Sequence, residues 1–217
     1  MKKKILIFSA GSSGREINQL IKSINSYKPT WNVLGYVDDK LSKKKKKLDN
    51  LKIFSNKNKP KLNGIFAISG IMNSEKRKKI YENEIKKSNY KIANLIHPKI
   101  EIPECIKIGE GNIIFNNVHL SYDVKIKNYS IISNFSDIGH NFVGENYITI
   151  MPSVVVGGNC EIGEGTLISA GAKIHPKIRI GKNCSIGIGA NIIENIKKNT
   201  NVIEFQRQTK IQKSAKN

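Results

Sequence analysis

Acidic side chains are scarce in this 217-residue chain: 17 Asp and Glu stand against 37 Lys and Arg, a formal net charge of +20. The imbalance sits in residues 1–100, with 24 basic and 7 acidic side chains; residues 101–217 hold 13 and 10. A basic half attracts anions, whether nucleic acid, anionic lipid or a phosphorylated small molecule. Its lysines are not interleaved with stacking aromatics and no reader motif occurs, which argues against nucleic acid. The run Lys43 to Lys47 reads as a solvated loop. Long apolar runs are missing too. No stretch approaches the ~18 apolar residues of a membrane span, and Met1-Lys2-Lys3-Lys4 leads into a strand pattern rather than a secretory segment. The expectation is a cytoplasmic protein with no membrane insertion. Cysteine is rare, and Cys105, Cys160 and Cys184 form no CxxC pair; two of them, Cys160 and Cys184, stand at a small inward position of a six-residue repeat and read as reduced core residues.

What is abundant is isoleucine, at a fixed interval. From Ile102 to Ile192 every sixth residue is a large aliphatic in fifteen of sixteen places, the exception being Gly144. A period of six belongs to neither a helix nor a simple strand. It marks a hexapeptide-repeat β-helix, in which three hexads make a coil of about eighteen residues, giving about five coils here. Glycine follows the aliphatic at 109, 139, 157, 163, 181 and 187, as expected where the chain turns tightly. Small or aliphatic residues such as Val154, Cys160 and Ala172 stand two before it, which suits a narrow interior. At Gly144 the pattern predicts irregular backbone.

The first hundred residues alternate strand and helix patterns, predicting a small parallel α/β sheet. Residues 4–10 read as a buried strand, followed by Gly11-Ser12-Ser13-Gly14 and a helix with Ile17, Leu20, Ile21 and Ile24 inward. A strand, a glycine turn and a helix start leave backbone N–H groups free for an anion. Residues 33–39 form a second strand ending in Asp38 and Asp39, where nucleotide-binding folds place an acid for the nucleoside. The full GxGxxG is absent, so a plain strand–helix turn explains these residues equally well. Residues 40–61 read as poorly structured, 64–70 as a third strand, 74–88 as a polar basic helix with Ile80, Tyr81 and Ile85 inward, and 91–95 as a fourth strand. The expected division is 1–97, 98–195 and a C-terminal tail, 196–217.

Four histidines occur, and His119, His140 and His175 take different places in the repeat, so no three-histidine metal site is expected. His97 precedes a proline at the domain junction, where it caps or packs. His140 follows Ile138-Gly139 in a polar stretch, and eighteen residues on is Gly158. Stacked strands lie about 4.8 Å apart, so the Gly158 N–H falls within one coil of the imidazole. A histidine base beside an N–H able to hold an oxyanion is what acyl transfer needs. A histidine on a surface turn is the alternative.

Taken together, Ile5 to Glu16, Tyr36 to Asp39, Leu95 to Pro98, Ile138 to Pro152 and Gly158 to Gly163 resemble one family. It is the bacterial sugar O-/N-acetyltransferases of the NeuD/PglD type, with an N-terminal Rossmann-like domain and a C-terminal left-handed β-helix. The resemblance implies a homotrimer, with acetyl-CoA between adjacent β-helices and a nucleotide sugar held by residues 1–97. It makes His140 the general base, Gly158 and its neighbour Gly157 contacts of the cofactor thioester, and Gly11, Ser12, Ser13, Gly14, Asp38 and Asp39 the sugar-nucleotide contacts. Three departures stand out. An acid often follows the histidine in such N-acetyltransferases, but Asn141 stands here, leaving Asp137 as candidate orienting carboxylate. Where the family has a second histidine near the thioester this chain has Thr149, which the resemblance makes a cofactor contact. The Gly-x-Pro-Ala ending is absent, with Asn201-Val202-Ile203-Glu204-Phe205 in its place.

The leading expectation is acetyl-CoA-dependent N-acetylation of a nucleotide-linked amino sugar for surface-glycan biosynthesis, by direct attack and with no metal. O-acetylation of a sialic acid or related glycan sugar uses the same fold and base. A non-catalytic nucleotide-sugar-binding scaffold would account for the missing acid. A nicotinamide-dependent reductase would leave the β-helix without a role.

Overall fold

The computed structural model describes residues 2–61 and 63–203; residues 204–217, most of the expected tail, lie outside this range. Lys3–Phe8 forms β1, whose Ile5, Leu6, Ile7 and Phe8 are all buried because layers cover both faces of the sheet. Helix α1, Ser12–Tyr27, packs on it through Ile17, Leu20 and Ile21. Then come β2 (Trp31–Val37), the short helix α2 (Asp39–Ser42), β3 (Lys47–Leu48), β4 (Leu51–Phe54), β5 (Phe66–Ser69), α3 (Ser74–Ile80) and β6 (Lys91–Ile92). The strand order is β3-β4-β2-β1-β5-β6, parallel except for the β3–β4 pair.

Residues 40–61 are therefore not structureless. Asp49 and Asn50 both take left-handed φ, closing a tight hairpin, and Ile53 of β4 is buried against the sheet. The lysines around this strand mask its apolar alternation. The segment 74–88 is helical throughout, continuing from α3 through a π turn (Tyr81–Ile85) and a 3-10 turn (Lys86–Ser88), with Tyr81 and Ile85 inward. The expected strand 91–95 is two: Lys91–Ile92 ends the α/β sheet, and Leu95–Ile96 begins the β-helix.

The β-helix is left-handed and has three faces of stacked two-residue parallel strands. One face carries seven strands, from Leu95–Ile96 to Asn201–Val202; the other two carry five each. That makes five full coils with one extra strand at each end of the long face, so coiling extends on both sides of 98–195. Residues eighteen apart pair in register, as Asp137 with Val155 and Thr149 with Leu167. Repeat aliphatics fill the interior together with Cys160 and Cys184, which are free thiols. Ile102 lies outside the ladder, 42% exposed between the first β-helix strand, Leu95–Ile96, and the next, Lys107–Ile108.

Two details of the repeat differ from expectation. Left-handed φ occurs three residues after the core aliphatic, at Asn117, Asp123, Tyr129, Phe135, Asn141 and onward, and not at the glycine that follows it. That glycine answers a lack of space instead. A Cβ at Gly139 would sit 2.6 Å from Gly158 N, and one at Gly163 2.5 Å from Gly181 C. Gly144, in turn, causes no irregularity: Val143–Gly144 pairs in register with both neighbouring strands. Phe142 is fully buried where other hexads place a small residue, and a Cβ at Gly144 would meet Phe142 at 2.9 Å and Ile148 at 2.6 Å. The large neighbour fills the space that the glycine leaves.

The two domains meet on the seven-stranded face. Ile113, Phe115 and Ile131 pack with α1 and the sheet core, while Tyr81, Tyr129 and Tyr147 cluster at the adjoining corner. Arg77 of α3 is wholly buried there. Its guanidinium donates to the carbonyls of Ile71, Met72, Tyr129, Tyr147 and Ile148 and to Thr149 Oγ1, at 2.7–3.0 Å. Among the described residues no carboxylate pairs with it. Burial lowers its pKa to about 10, so it stays charged near neutrality. Spread over carbonyls of both domains, this cation fixes their relation.

Candidate active site

His140 occupies the corner after Asp137–Ile138, where the chain turns towards Val143–Gly144. The eighteen-residue stacking places Tyr122 one coil before it and Gly158 one coil after. The rings of Tyr122 and His140 are stacked, 5.2 Å apart and 7° from parallel. A Cβ on Gly158 would lie 2.6 Å from His140 Cε1 and closer still to Nε2, so a larger residue there would displace the imidazole. Among the described residues the Gly158 N–H has no hydrogen-bond partner, while Gly157 N–H bonds Ile174 O. A half-buried imidazole therefore packs on Gly158, the residue that carries this unused backbone donor. The eighteen-residue spacing points to Gly158 from sequence, and Tyr122 stands one coil back in the same column, where an aromatic gives no signal of its own.

Asp137 does not orient His140. Its side chain points out from the strand and bonds His119 Nδ1 on the coil before, at 2.7 Å. His140 Nδ1 instead meets the Asn141 side-chain amide at 3.2 Å, and that same atom lies 3.1 Å from Asn159 Oδ1. Thr149, expected at the cofactor, lies away from the surface. It is fully buried, and its hydroxyl accepts from Arg77 and donates to Met72 O at 2.9 Å. It is part of the domain junction.

In the α/β domain, the sheet order puts the crossovers on opposite sides of β1, so the switch point of the sheet falls between the ends of β1 and β5, next to the start of α1. Gly11 is the N-cap of α1 and supplies no side-chain cap; Ser12 and Ser13 form an uncharged first turn. Gly14 is required by packing, since a Cβ there would overlap Ser9 C at 2.8 Å and Ser9 O more closely. Gly11 meets nothing nearer than 3.8 Å, so space alone does not demand glycine there. Ser9 takes φ 135, a conformation that L residues rarely adopt, just before this turn. Among the described residues Ser69 Oγ, at the end of β5, is buried without a partner.

Both acids after β2 are already engaged. Asp38 caps α2 by accepting from Lys40 N and Leu41 N and ties down the turn through Ala10 N. Asp39 accepts from Asn56 N and Nδ2, both at 2.8 Å. Asp38 thus shapes the turn, and each carboxylate keeps some acceptor capacity. Beside Asp39 is a depression of about 850 Å³ with Lys43, Lys46 and Lys57 on its rim. A second cleft, about 500 Å³, runs between α1 and the β-helix corner Ser133–Asn134, with His97 and Met151 in its wall. His97 Nε2 lies 2.9 Å from Ser23 Oγ, and burial followed by the charge of Lys99 lowers its pKa.

Within one chain the glycine turn and His140 are kept apart. The α/β domain covers the seven-stranded face, whereas His140 stands at the corner between the two five-stranded faces, opposite it.

The PglD N-terminal domain family matches residues 4–83. No curated protein matches the chain by sequence. Among solved structures, a mutant of perosamine N-acetyltransferase from Caulobacter crescentus, in complex with CoA and GDP-perosamine, is similar over 93% of each chain, with TM-score 0.81 and 17% identity. The acetyltransferase domain of PglB from Neisseria gonorrhoeae, in complex with acetyl coenzyme A, gives 0.81 and 20%, covering 93% of this chain and 96% of that one. WeeI from Acinetobacter baumannii gives 0.74 and 21%, with 92% and 96% covered. Residues 4–83 thus match the PglD N-terminal domain family, and the whole chain has the two-domain fold of the perosamine and PglB acetyltransferases.

Proposed function

We propose that the protein transfers an acetyl group from acetyl-CoA to the amine of a nucleotide-linked amino sugar, with His140 as general base. The observation that carries this reading is the contact between the His140 imidazole and Gly158, whose N–H is unused. His140 takes a proton from the attacking amine as it adds to the thioester carbonyl. Gly158 N–H stabilises the oxygen that becomes negative in the tetrahedral intermediate. When the carbon–sulfur bond breaks, the proton passes from the imidazolium to the sulfur, leaving an acetamide and free CoA thiol. No enzyme nucleophile enters: Cys160, the nearest thiol in the repeat, is buried and its pKa is raised by that burial.

The basic α/β domain suits a diphosphate at the start of α1, with backbone N–H groups of residues 12–14 as donors. CoA and GDP-perosamine in the structurally similar perosamine enzyme support the same pair of substrate classes here. The turn and His140 lie on opposite sides of one chain, so a complete site takes its glycine turn from one copy and its base from another. A closed homotrimer of β-helices supplies that pairing.

Incubation of the purified protein with acetyl-CoA and a panel of UDP- and GDP-amino sugars and free sialic acids tests this, with thiol release and acceptor mass as readouts. Acetylation of an amino sugar is expected. Acetylation of only sialic acids would replace N- with O-transfer, and nucleotide-sugar binding without turnover on any acceptor would favour a scaffold.

A further inference from the structure

An imidazole can act as base only through a nitrogen that carries no proton. His140 has two, and the structure treats them differently. Nε2 faces Gly158, and Nδ1 faces the side-chain amide of Asn141. That same Asn141 terminal atom also meets Asn159 Oδ1, one coil further on. Backbone bonds hold the three residues in register: Asn141 N–H donates to Tyr122 O, and Asn159 N–H donates to His140 O. The surrounding groups are Tyr122 stacked on the ring, with Glu161, Lys177 and Arg179 around the same shallow depression as the two asparagines. None of these three charged side chains bonds the imidazole.

With Asn141 Nδ2 towards His140, Nδ1 is the acceptor, the neutral ring carries its proton on Nε2, and Nε2 cannot take another. The two ends of a primary amide have nearly the same size, so the network reverses without moving heavy atoms. Reversed, Asn141 Oδ1 accepts from both His140 Nδ1–H and Asn159 Nδ2. Nε2 is then bare and faces the Gly158 side, where the reacting group is placed. We propose that Asn141 and Asn159 form an uncharged amide relay that holds this tautomer of His140. The proposal rests on His140 as the base, and it assigns Asn141 and Asn159 as positioning residues. It removes the need for a carboxylate next to the histidine.

The relay makes two isosteric substitutions behave oppositely. Asn141→Asp is acceptor-only, so it still receives Nδ1–H; the added charge shifts the acid limb of the kcat/KM profile upward by about one pH unit with activity retained. Asn159→Asp can only accept from Asn141, which forces Asn141 Nδ2 towards His140 and favours the unproductive tautomer. Its kcat is expected to fall by at least ~10-fold with KM for acetyl-CoA nearly unchanged. Both sites have left-handed φ, 54° and 59°, which Asp tolerates. Nitrogen-15 NMR of histidine-labelled protein, assigned with His140→Gln, reads the tautomer without turnover. The expected result is protonated Nδ1 in the neutral wild type, moving to protonated Nε2 in Asn159→Asp. A wild type protonated on Nε2, or equal behaviour of the two Asp variants, overturns the relay. The tautomer is read even if no acceptor is turned over, so failure of the relay and failure of the proposed reaction are separable.

Discussion

At the scale of the residue, the site consists of small distinctions between neighbours. Gly157 and Gly158 are adjacent, yet the first N–H is spent on the coil ladder and the second is unused. Asp137 and Asn141 lie on either side of His140, and only the uncharged one reaches it. Thr149 looked like a ligand from its place in the sequence but is part of the domain junction. Thr149→Val should therefore lower stability by about 1–3 kcal/mol, because Arg77 and Met72 O lose a partner, while KM for acetyl-CoA stays within about twofold of wild type. Denaturant unfolding and steady-state kinetics on the same preparation check both. His97 gives a pH signature. Its folded pKa is depressed by burial, so near and just below its ordinary value the unfolded chain binds more protons. The contribution is fully present above the unfolded pKa of about 6.5 and is lost as pH falls towards the folded value. Melting temperatures measured on both sides of this window should fall less on acidification in His97→Asn than in wild type.

At the scale of the element, the hexad is legible because its aliphatics are nearly invariant in spacing. The five coils, the buried cysteines and the His140–Gly158 column all follow from counting by six and eighteen. Counting does not reveal compensation between positions. Phe142 is large where the repeat is usually small, and that is why Gly144 leaves the strand regular. Gly144→Ile should destabilise the protein by about 1–3 kcal/mol through overpacking, and Phe142→Val should cost about 1–3 kcal/mol as a cavity. Combined, they restore the usual hexad, so the double variant should be more stable than either single one. A double-mutant cycle by chemical denaturation measures that coupling. The β3–β4 hairpin was hidden for another reason: charge obscured a short strand whose apolar residues are few. Arg77 was equally hidden. A basic residue on a basic helix reads as solvated, and only the three-dimensional meeting of carbonyls from two domains explains its burial.

At the scale of the whole molecule, the α/β domain and His140 lie on opposite sides of the β-helix, and the Arg77 junction holds them so. If sites form between copies, two inactive chains can complement each other. Ser12→Glu puts a carboxylate at the helix start where an anion would bind, and His140→Ala removes the base. Each alone should be inactive. Co-assembled in equal amounts, they should recover about one quarter of wild-type sites, since a site then needs one intact turn and one intact base from different copies. No recovery from verified mixed oligomers would place both halves of the site in one chain. The most direct test of the account is acceptor-dependent thiol release from acetyl-CoA by wild type and by His140→Ala, once an amino-sugar acceptor is found. A general base contributes about 10²–10⁴-fold, so the variant should lose at least ~100-fold in kcat with acetyl-CoA binding retained. Undiminished turnover in His140→Ala would contradict it.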